Sequence, residues 1–447
     1  MIAPELPVLL NLYTQIAPGE LFGLLQRNLG ISKRTGIYTP RVVMWMMIMQ
    51  RLDRRGTLAE AVQQLAMGKL DRLLSRCKRV RDKRVSLSTG GYCQARQNLP
   101  KVLLERSVEE ILQRLRKELS ERLGLLQKPV YVLDGSTLQL EHCTELKKAY
   151  PPASNQHGES HWPILRIVVV QDLETGMAQR PCWGPMYGPQ AVSEQELAER
   201  AMDPLPPGAV IVGDRNFGIF ATAYAAHQRG HQVVIRLTAD RAKRLRGAPI
   251  SREGDYEVEW RASRWDKVGK ANRPPEACLG GRLVARRVGR GKSKQWLYLF
   301  TTLTIPADEV ADVYAKRWNV ETDLLGLKQT ARLKRLSAQS VDMMEKELLA
   351  AILAYNLVRA VMVLAARKAG LHTRQLSFTY AYNIVQIGIP DVLAAPTEAA
   401  QIQGMERIIE LVSRCKLPNR GKHRSFARAV WGRGATYPSR KRTKKTK

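Results

Sequence analysis

None of the six cysteines (Cys77, Cys93, Cys143, Cys182, Cys278 and Cys415) belongs to a C-x-x-C pair, so the chain encodes neither a zinc finger nor a disulfide scaffold. They read as reduced packing residues. A secretory leader is not expected either, since MIAPELPVLL has no basic region followed by a long apolar run, and the expected compartment is the cytosol. The best candidate for a membrane span, LLAAILAYNLVRAVMVLAA from Leu348, carries Asn356 and Arg359 near its middle. An uncompensated charge is costly in lipid, so this stretch is expected to be a buried helix, with no membrane partner. No internal repeat is visible. Acidic residues are the remaining shortage, 41 Asp plus Glu against 72 Lys plus Arg, for a net charge of +31. That excess points to a polyanionic partner, nucleic acid first.

What is present suits a multidomain globular chain. With 447 residues, 44% hydrophobic and 25% charged, two or three packed units can form and one can bury a full enzyme site. TPRVVMWMMIMQRL opens with Thr39 and Pro40, a helix start, and TLAEAVQQLAMGKL repeats the design with Thr57 as cap and Glu60 three residues on. Residues 1–125 therefore read as a helical N-terminal region, to which DNA binding is assigned. Its run RCKRVRDKR, Arg76 to Arg84, is either a solvated face or a DNA-backbone contact.

From about residue 126 the texture becomes β-rich. PVYVLDGSTLQL, ILRIVVVQDLETG, GAVIVGDRNFGIF and HQVVIRLT read as strands alternating with helical stretches, the pattern of a mixed α/β core over residues 126–370. Residues 240–295, with DYEVEWRASRW and GRLVARRV between Gly, Pro and basic residues, read as a β-rich insertion. QWLYLFTTL then returns as a strand and leads into a long helical tract, about 307–370. The remainder, 371–447, reads as a helical region followed by a basic tail. From Arg414 onward it has no acidic residue, and a disordered, DNA-attracting segment is expected.

Three carboxylates stand out. Asp134 follows VYVL and precedes Gly135, Ser136 and Thr137, while Asp214 follows VIVG and precedes RNFG. Both are expected at strand ends, held by a sheet and open to a cleft. Glu321 belongs to YAKRWNVETDLLGLKQT, where Tyr314, Arg317, Glu321 and Lys328 project within an arc of about 60° if the segment is one continuous α-helix. Val313, Val320, Leu324 and Leu327 form an apolar stripe beside them. Glu321 would then ligate a metal while Arg317 and Lys328 hold phosphates, although taken alone an ordinary exposed helix is the stronger reading. Two strand-end Asp residues with a helix-borne Glu are the parts needed for two-metal phosphoryl transfer, and hard oxygen ligands favour Mg²⁺, with Mn²⁺ able to substitute. His142, His157 and His161 are irregularly spaced and are left as structural or surface residues.

The pattern Y-x2-R-x3-E-x6-K resembles the signature of the DDE transposases of insertion-sequence family four. YVLDGSTL resembles that family's first Asp motif, GDRNFG its second, LAYNLVRAVM the helix after its Glu motif, and TPRVVMWMMIMQ and STGGYCQARQNLP its N-terminal region. The resemblance implies an RNase H-like catalytic core with a β-rich insertion, and Asp134, Asp214 and Glu321 as catalytic metal ligands. It also implies Tyr314, Arg317 and Lys328 on DNA backbone at the transposon end, with Arg215 a further candidate. The implied activity is binding of terminal inverted repeats followed by metal-dependent cleavage and strand transfer. Double-stranded DNA, both transposon ends and target, is the implied partner, with a dimer in the DNA complex and residence on the nucleoid. Cleavage through a hairpin would stack a flipped base on an aromatic residue, for which Trp260 and Trp265 are candidates. A catalytically inactive end-binding protein or repressor, and a host nuclease with the same core, remain the competing readings. Short inverted repeats bracketed by target duplications around the gene would separate them.

Overall fold

The computed structural model describes residues 18–31, 36–53, 55–70, 77–82, 84–119, 126–155, 158–263, 274–289, 294–329 and 336–418. His157, Trp265 and the basic tail beyond residue 418 lie outside them. The N-terminal part is helical: α1 Gly19–Asn28, α2 Pro40–Leu52, α3 Leu58–Ala66, α4 Lys78–Arg81, α5 Gly90–Gln97 and α6 Lys101–Leu119. Thr39 caps α2 with Pro40 in its first turn. Thr57 and Glu60 form the expected capping box on α3, satisfying two otherwise orphaned backbone donors. Every residue of α2 except Arg41 is buried. Apart from Arg41, Gln50 and Arg51 its sequence is apolar on every side, so it has almost no polar face to turn to solvent.

The central sheet is built from β1 Val130–Gln139, β4 Ile164–Asp172, β5 Cys182–Pro185, β6 Val210–Gly213, β7 Gln232–Leu237, β8 Gly254–Arg261, β9 Cys278–Val288 and β10 Gln295–Thr301. Between β1 and β4 lie the short helix α7 Thr144–Ala149 and a two-residue pair, β2 Ser154–Asn155 and β3 Gly158–Glu159. The eight strands run in the order β5-β4-β1-β6-β7-β10-β9-β8. β1, β6 and β7 are parallel, whereas β4, β5, β8, β9 and β10 each join antiparallel to their neighbours. The β-rich stretch of 240–295 therefore extends the same sheet past β10 instead of forming a sheet of its own.

Strand alternation sends one set of side chains to each face. Tyr131, Leu133, Ile211, Val233 and Ile235 pack with α8 Glu194–Ala201 and α9 Phe220–Gln228, and with α10 Ala239–Arg246 beside them. Val130, Val132, Val210, Val212 and Val234 face the other way. They meet Val310, Val313, Tyr314 and Val320 of α11 Ala307–Ala315 and α12 Trp318–Gln329. The largest cluster joins the N-terminal helices to α13 Val341–Lys368, α14 Phe378–Ala394 and α15 Glu398–Ser413.

α13 is long and apolar enough to cross a bilayer, yet its apolar stretch is wholly buried in the protein and only its two ends reach the surface. Its buried polar side chains are engaged. Asn356 donates to and accepts from the Ala178 backbone at 2.9 Å each way, while Arg359 binds Asp323 and the Tyr355 hydroxyl. Glu347 meets Arg51 and Arg96, each at 2.8 Å. Lys346 donates to the carbonyls of Arg96 and Gln97 at the end of α5. Buried polar groups satisfied in this way tie α13 to the N-terminal helices as firmly as the apolar packing does.

Candidate active site

Parallel pairing of β1 and β6 matches Val130 with Val210 and Val132 with Val212. Asp134 and Asp214 each follow two residues after the last pair, so they occupy equivalent positions on adjacent strands. Val132 and Val212 face α11 and α12; with a side-chain period of two, Asp134 turns toward that same side. The expectation for Asp214 holds, since β6 ends one residue before it. Asp134 differs: β1 runs on to Gln139, still paired to β4 through Asp134↔Val169. Only its pairing with β6 stops, and the two strands part there. That opening at the C-terminal ends of parallel strands is where α/β sheets place their clefts.

Local bonds fix the two carboxylates. Asp134 Oδ1 accepts from the Gly135 N–H at 3.1 Å, and Asp214 Oδ1 accepts from the Asn216 N–H at 2.8 Å. In the GDRNFG turn, Gly218 lies so near the Arg236 carbonyl of β7 that any Cβ would overlap it. Burial, reinforced by the charge of Asp214, pushes the Asp134 carboxyl up to about 6. Arg317 and the Gly135 N–H oppose this rise, and Glu321 adds to it.

The helix bearing Glu321 is not continuous. α11 stops at Ala315 and α12 starts at Trp318, with Lys316 and Arg317 in a turn between them. Hydrogen bonds there tighten to three residues: Arg317 N–H to Tyr314 O at 2.9 Å, Asn319 to Lys316 at 3.0 Å and Val320 to Arg317 at 2.9 Å. The single-helix arc expected for Tyr314, Arg317, Glu321 and Lys328 is therefore replaced by two helices meeting at Arg317. The helical tract to 370 resolves into α11, α12 and α13. Val313, Val320, Leu324 and Leu327 are all buried, so the apolar stripe docks as its spacing requires.

Tyr314, 7% exposed, sits in the core under the site. Burial raises its phenol, opposed by Arg317 and Arg236. The Arg317 guanidinium lies 5.8 Å from the Tyr314 ring centroid and donates to Glu321 Oε1 at 2.9 Å. It also feels the negative charge of Asp214. Glu321 is 42% exposed and Arg317 only 14%, so the cation occupies the interior of the site and the third carboxylate its rim. Lys328 is half-buried on α12, and Arg215 is exposed beside Asp214.

Among the described residues no three His, Cys, Asp or Glu side chains converge closely enough to hold one ion. The donors nevertheless suit a divalent cation. All are hard oxygens, and Asp134 and Asp214 repel each other in a way that a cation would relieve. Glu321 is paired with Arg317 and stands apart from them.

The matched positions on β1 and β6, with Glu321 facing them from α12, occupy the span over which the chain matches a family model, "Transposase DDE domain", at residues 126–357. The match takes in more than half of the sequence. The chain belongs to the DDE transposase family. It is also similar to the transposase InsG for insertion sequence element IS4 of Escherichia coli (strain K12), with 24% identity over 323 residues, 69% of this chain and 68% of InsG. Resemblance to insertion-sequence family four is thus upheld.

Of the other residues singled out, His142 and His161 stack on each other at 3.9 Å between ring centroids. Trp260 packs edge-on against Phe300 at 4.8 Å and Phe220 at 6.0 Å, an engaged ring unsuited to stacking a base. An aromatic residue the sequence reading passed over is Trp318, 66% exposed and adjacent to Arg317. Glu194 was missed too. It starts α8, its carboxyl is raised by burial and by Asp214 against the pull of Arg166, and it contacts both Asp-bearing segments.

Proposed function

We propose that this transposase binds the terminal inverted repeats of its insertion sequence and performs metal-dependent strand cleavage and strand transfer, with Asp134, Asp214 and Glu321 as metal ligands. Register-matched Asp134 and Asp214 at the point where β1 and β6 part, faced by Glu321 from α12, carry this reading. The order β5-β4-β1-β6-β7, with β4 and β5 antiparallel to a parallel trio, supports an RNase H-like core, and β8 and β9 belong to the insertion ahead of Glu321. Bound Mg²⁺, or Mn²⁺ in its place, would activate the attacking oxygen and steady the leaving oxygen of an in-line displacement.

The protein's own groups do the rest. Asp134 and Asp214 are preorganised by the sheet and the Asn216 turn. Arg317 neutralises the carboxylates, and when DNA enters its guanidinium moves to a phosphate oxygen, freeing Glu321 to turn inward. Tyr314 is the shelf beneath Arg317. Lys328 on α12 and Arg215 at the Asp214 turn hold neighbouring phosphates, and exposed Trp318 is the surface on which a flipped base at a hairpin end would stack. Double-stranded DNA on the nucleoid is the substrate, engaged by a dimer.

The test is cleavage of a duplex carrying the element's end. Asp134→Ala, Asp214→Ala and Glu321→Ala are each expected to abolish Mg²⁺-dependent nicking while leaving end binding within a few-fold of the parent. Full cleavage retained by any of the three sinks the triad.

A further inference from the structure

The turn carrying Asp214 is held from the far side of the sheet by the first turn of α8. Ser193 caps that helix, its hydroxyl accepting from the Glu196 N–H at 3.1 Å, and the next two residues face the turn. Gln195 donates to the Asn216 carbonyl at 2.9 Å and to its Oδ1 at 3.1 Å. The Asn216 amide nitrogen is thereby aimed at Glu194, which accepts its hydrogen bond. Asn216 in turn gives its backbone N–H to Asp214 Oδ1.

The same Glu194 carboxylate rests against β1. A Cβ at Gly135 would lie 2.5 Å from Glu194 Cδ, so the residue after Asp134 must lack a side chain for Glu194 to lie there. Tyr131 and Leu133 face the α8 side of the sheet, and the alternation puts the contacted side of Gly135 there as well. Asp134 points to the opposite face. Glu194 therefore spans the gap between the two Asp-bearing strands from behind, where it does not share the space the Asp134 carboxylate opens onto.

We infer that Glu194 is a positioning residue: its carboxylate braces β1 at Gly135 and holds Asn216, which sets the Asp214 carboxylate for metal. This rests on the metal-binding reading of the site. Partners that orient a ligand typically change metal affinity by about ten- to a hundredfold when removed. The brace needs a hydrogen-bond acceptor at this position and not a charge, which separates it from a fourth metal ligand.

The test uses the full-length chain without DNA, titrated with Mn²⁺ and followed by the electron paramagnetic resonance signal of the free ion, with thermal melts as a check on folding. Glu194→Ala is expected to weaken Mn²⁺ binding by about tenfold or more, whereas Glu194→Gln, which keeps an acceptor for Asn216, stays within about threefold of the parent, below the roughly tenfold lower edge of such effects. Gly135→Ala meets only the movable end of Glu194, so it folds, and it loses affinity in the same direction. Added to Glu194→Ala it costs nothing more, because both remove one contact. Unchanged affinity in Glu194→Ala overturns the brace, and so does a Glu194→Gln as weak as Glu194→Ala, which would make the charge itself the active feature. Binding lost in Asp214→Ala but kept in Glu194→Ala defeats the brace alone. Absence of any Mn²⁺ site in the parent, both alone and with a duplex carrying the element's end, defeats the metal reading and the brace with it.

Discussion

Burial of Asp134 costs the fold stability at neutral pH. Its carboxyl titrates near 3.8 when exposed and at about 6 in the fold, because of burial and Asp214. Between those values the folded chain keeps a proton that the unfolded chain has released, so this group favours folding most below the lower value and loses that contribution as pH rises through about 6. At neutral pH the metal-free protein carries a penalty of at most about 3 kcal/mol, reduced by the water that still reaches the side chain. Asp134→Asn is therefore expected to melt a few degrees above the parent at pH 7.5 in chelator, with the gap narrowing to about half at pH 5. Scanning calorimetry at the two values checks it, and a gap that is absent or grows toward pH 5 contradicts the assignment. The same chemistry explains which site residues were legible. Asp134 and Asp214 each follow an apolar β-run and precede turn residues, a local signal. Glu194 starts a Ser-capped helix as α8 might in any protein, and its importance comes from Gly135 and Asn216, 59 and 22 positions away along the chain, by subtraction of their numbers.

At the level of elements, α12 depends on a buried charge cluster two residues beyond Glu321. Asp323 is 2% exposed and binds Arg359 of α13 and Arg374, which also donates to the Leu173 carbonyl at 2.6 Å. Removing the carboxylate would leave two guanidinium groups facing each other out of water. Asp323→Ala is expected to cost about 3–5 kcal/mol, read as a lowered urea midpoint, and to depress cleavage by loosening Glu321. A loss under about 1 kcal/mol, the scale of an exposed pair, would show that the cluster does not anchor α12. Apolar spacing predicted helix over this region correctly, and Val313, Val320, Leu324 and Leu327 all dock. It missed the interruption at Lys316 and Arg317, where no Gly or Pro marks the chain. The break accompanies tertiary contacts: Tyr314 is drawn into the core under the sheet while Arg317 turns to Glu321 and Asp214. Spacing along one helix records neither contact.

Over the whole molecule, caps, turns and apolar periods were legible because they are local, and burial of α13 followed from Asn356 and Arg359 within its apolar run. Strand order was not. That the 240–295 strands continue the central sheet follows from β10 pairing with β7 on one edge and β9 on the other, long-range registers that no window of sequence contains. Charge is global in another sense. Arg51, Arg96, Arg359 and Arg374 are committed to internal carboxylates, and all of α2 but Arg41 is buried, so among the described residues these add little to the positive surface. Much of the excess of 31 positive charges must then act from the surface and from the acid-free segment after Arg414, most of which lies outside the described residues. Six basic residues follow Tyr437, namely Arg440, Lys441, Arg442, Lys444, Lys445 and Lys447. Each phosphate they neutralise releases close to one counterion, so deleting the residues after Tyr437 is expected to weaken nonspecific DNA binding and to flatten the slope of log affinity against log salt by up to about 5. Discrimination between the cognate end and random duplex should rise, since phosphate contacts carry no sequence information. Titrations at several salt concentrations measure both quantities. An unchanged slope would place the nonspecific charge on the folded surface instead, and would make the tail dispensable for binding.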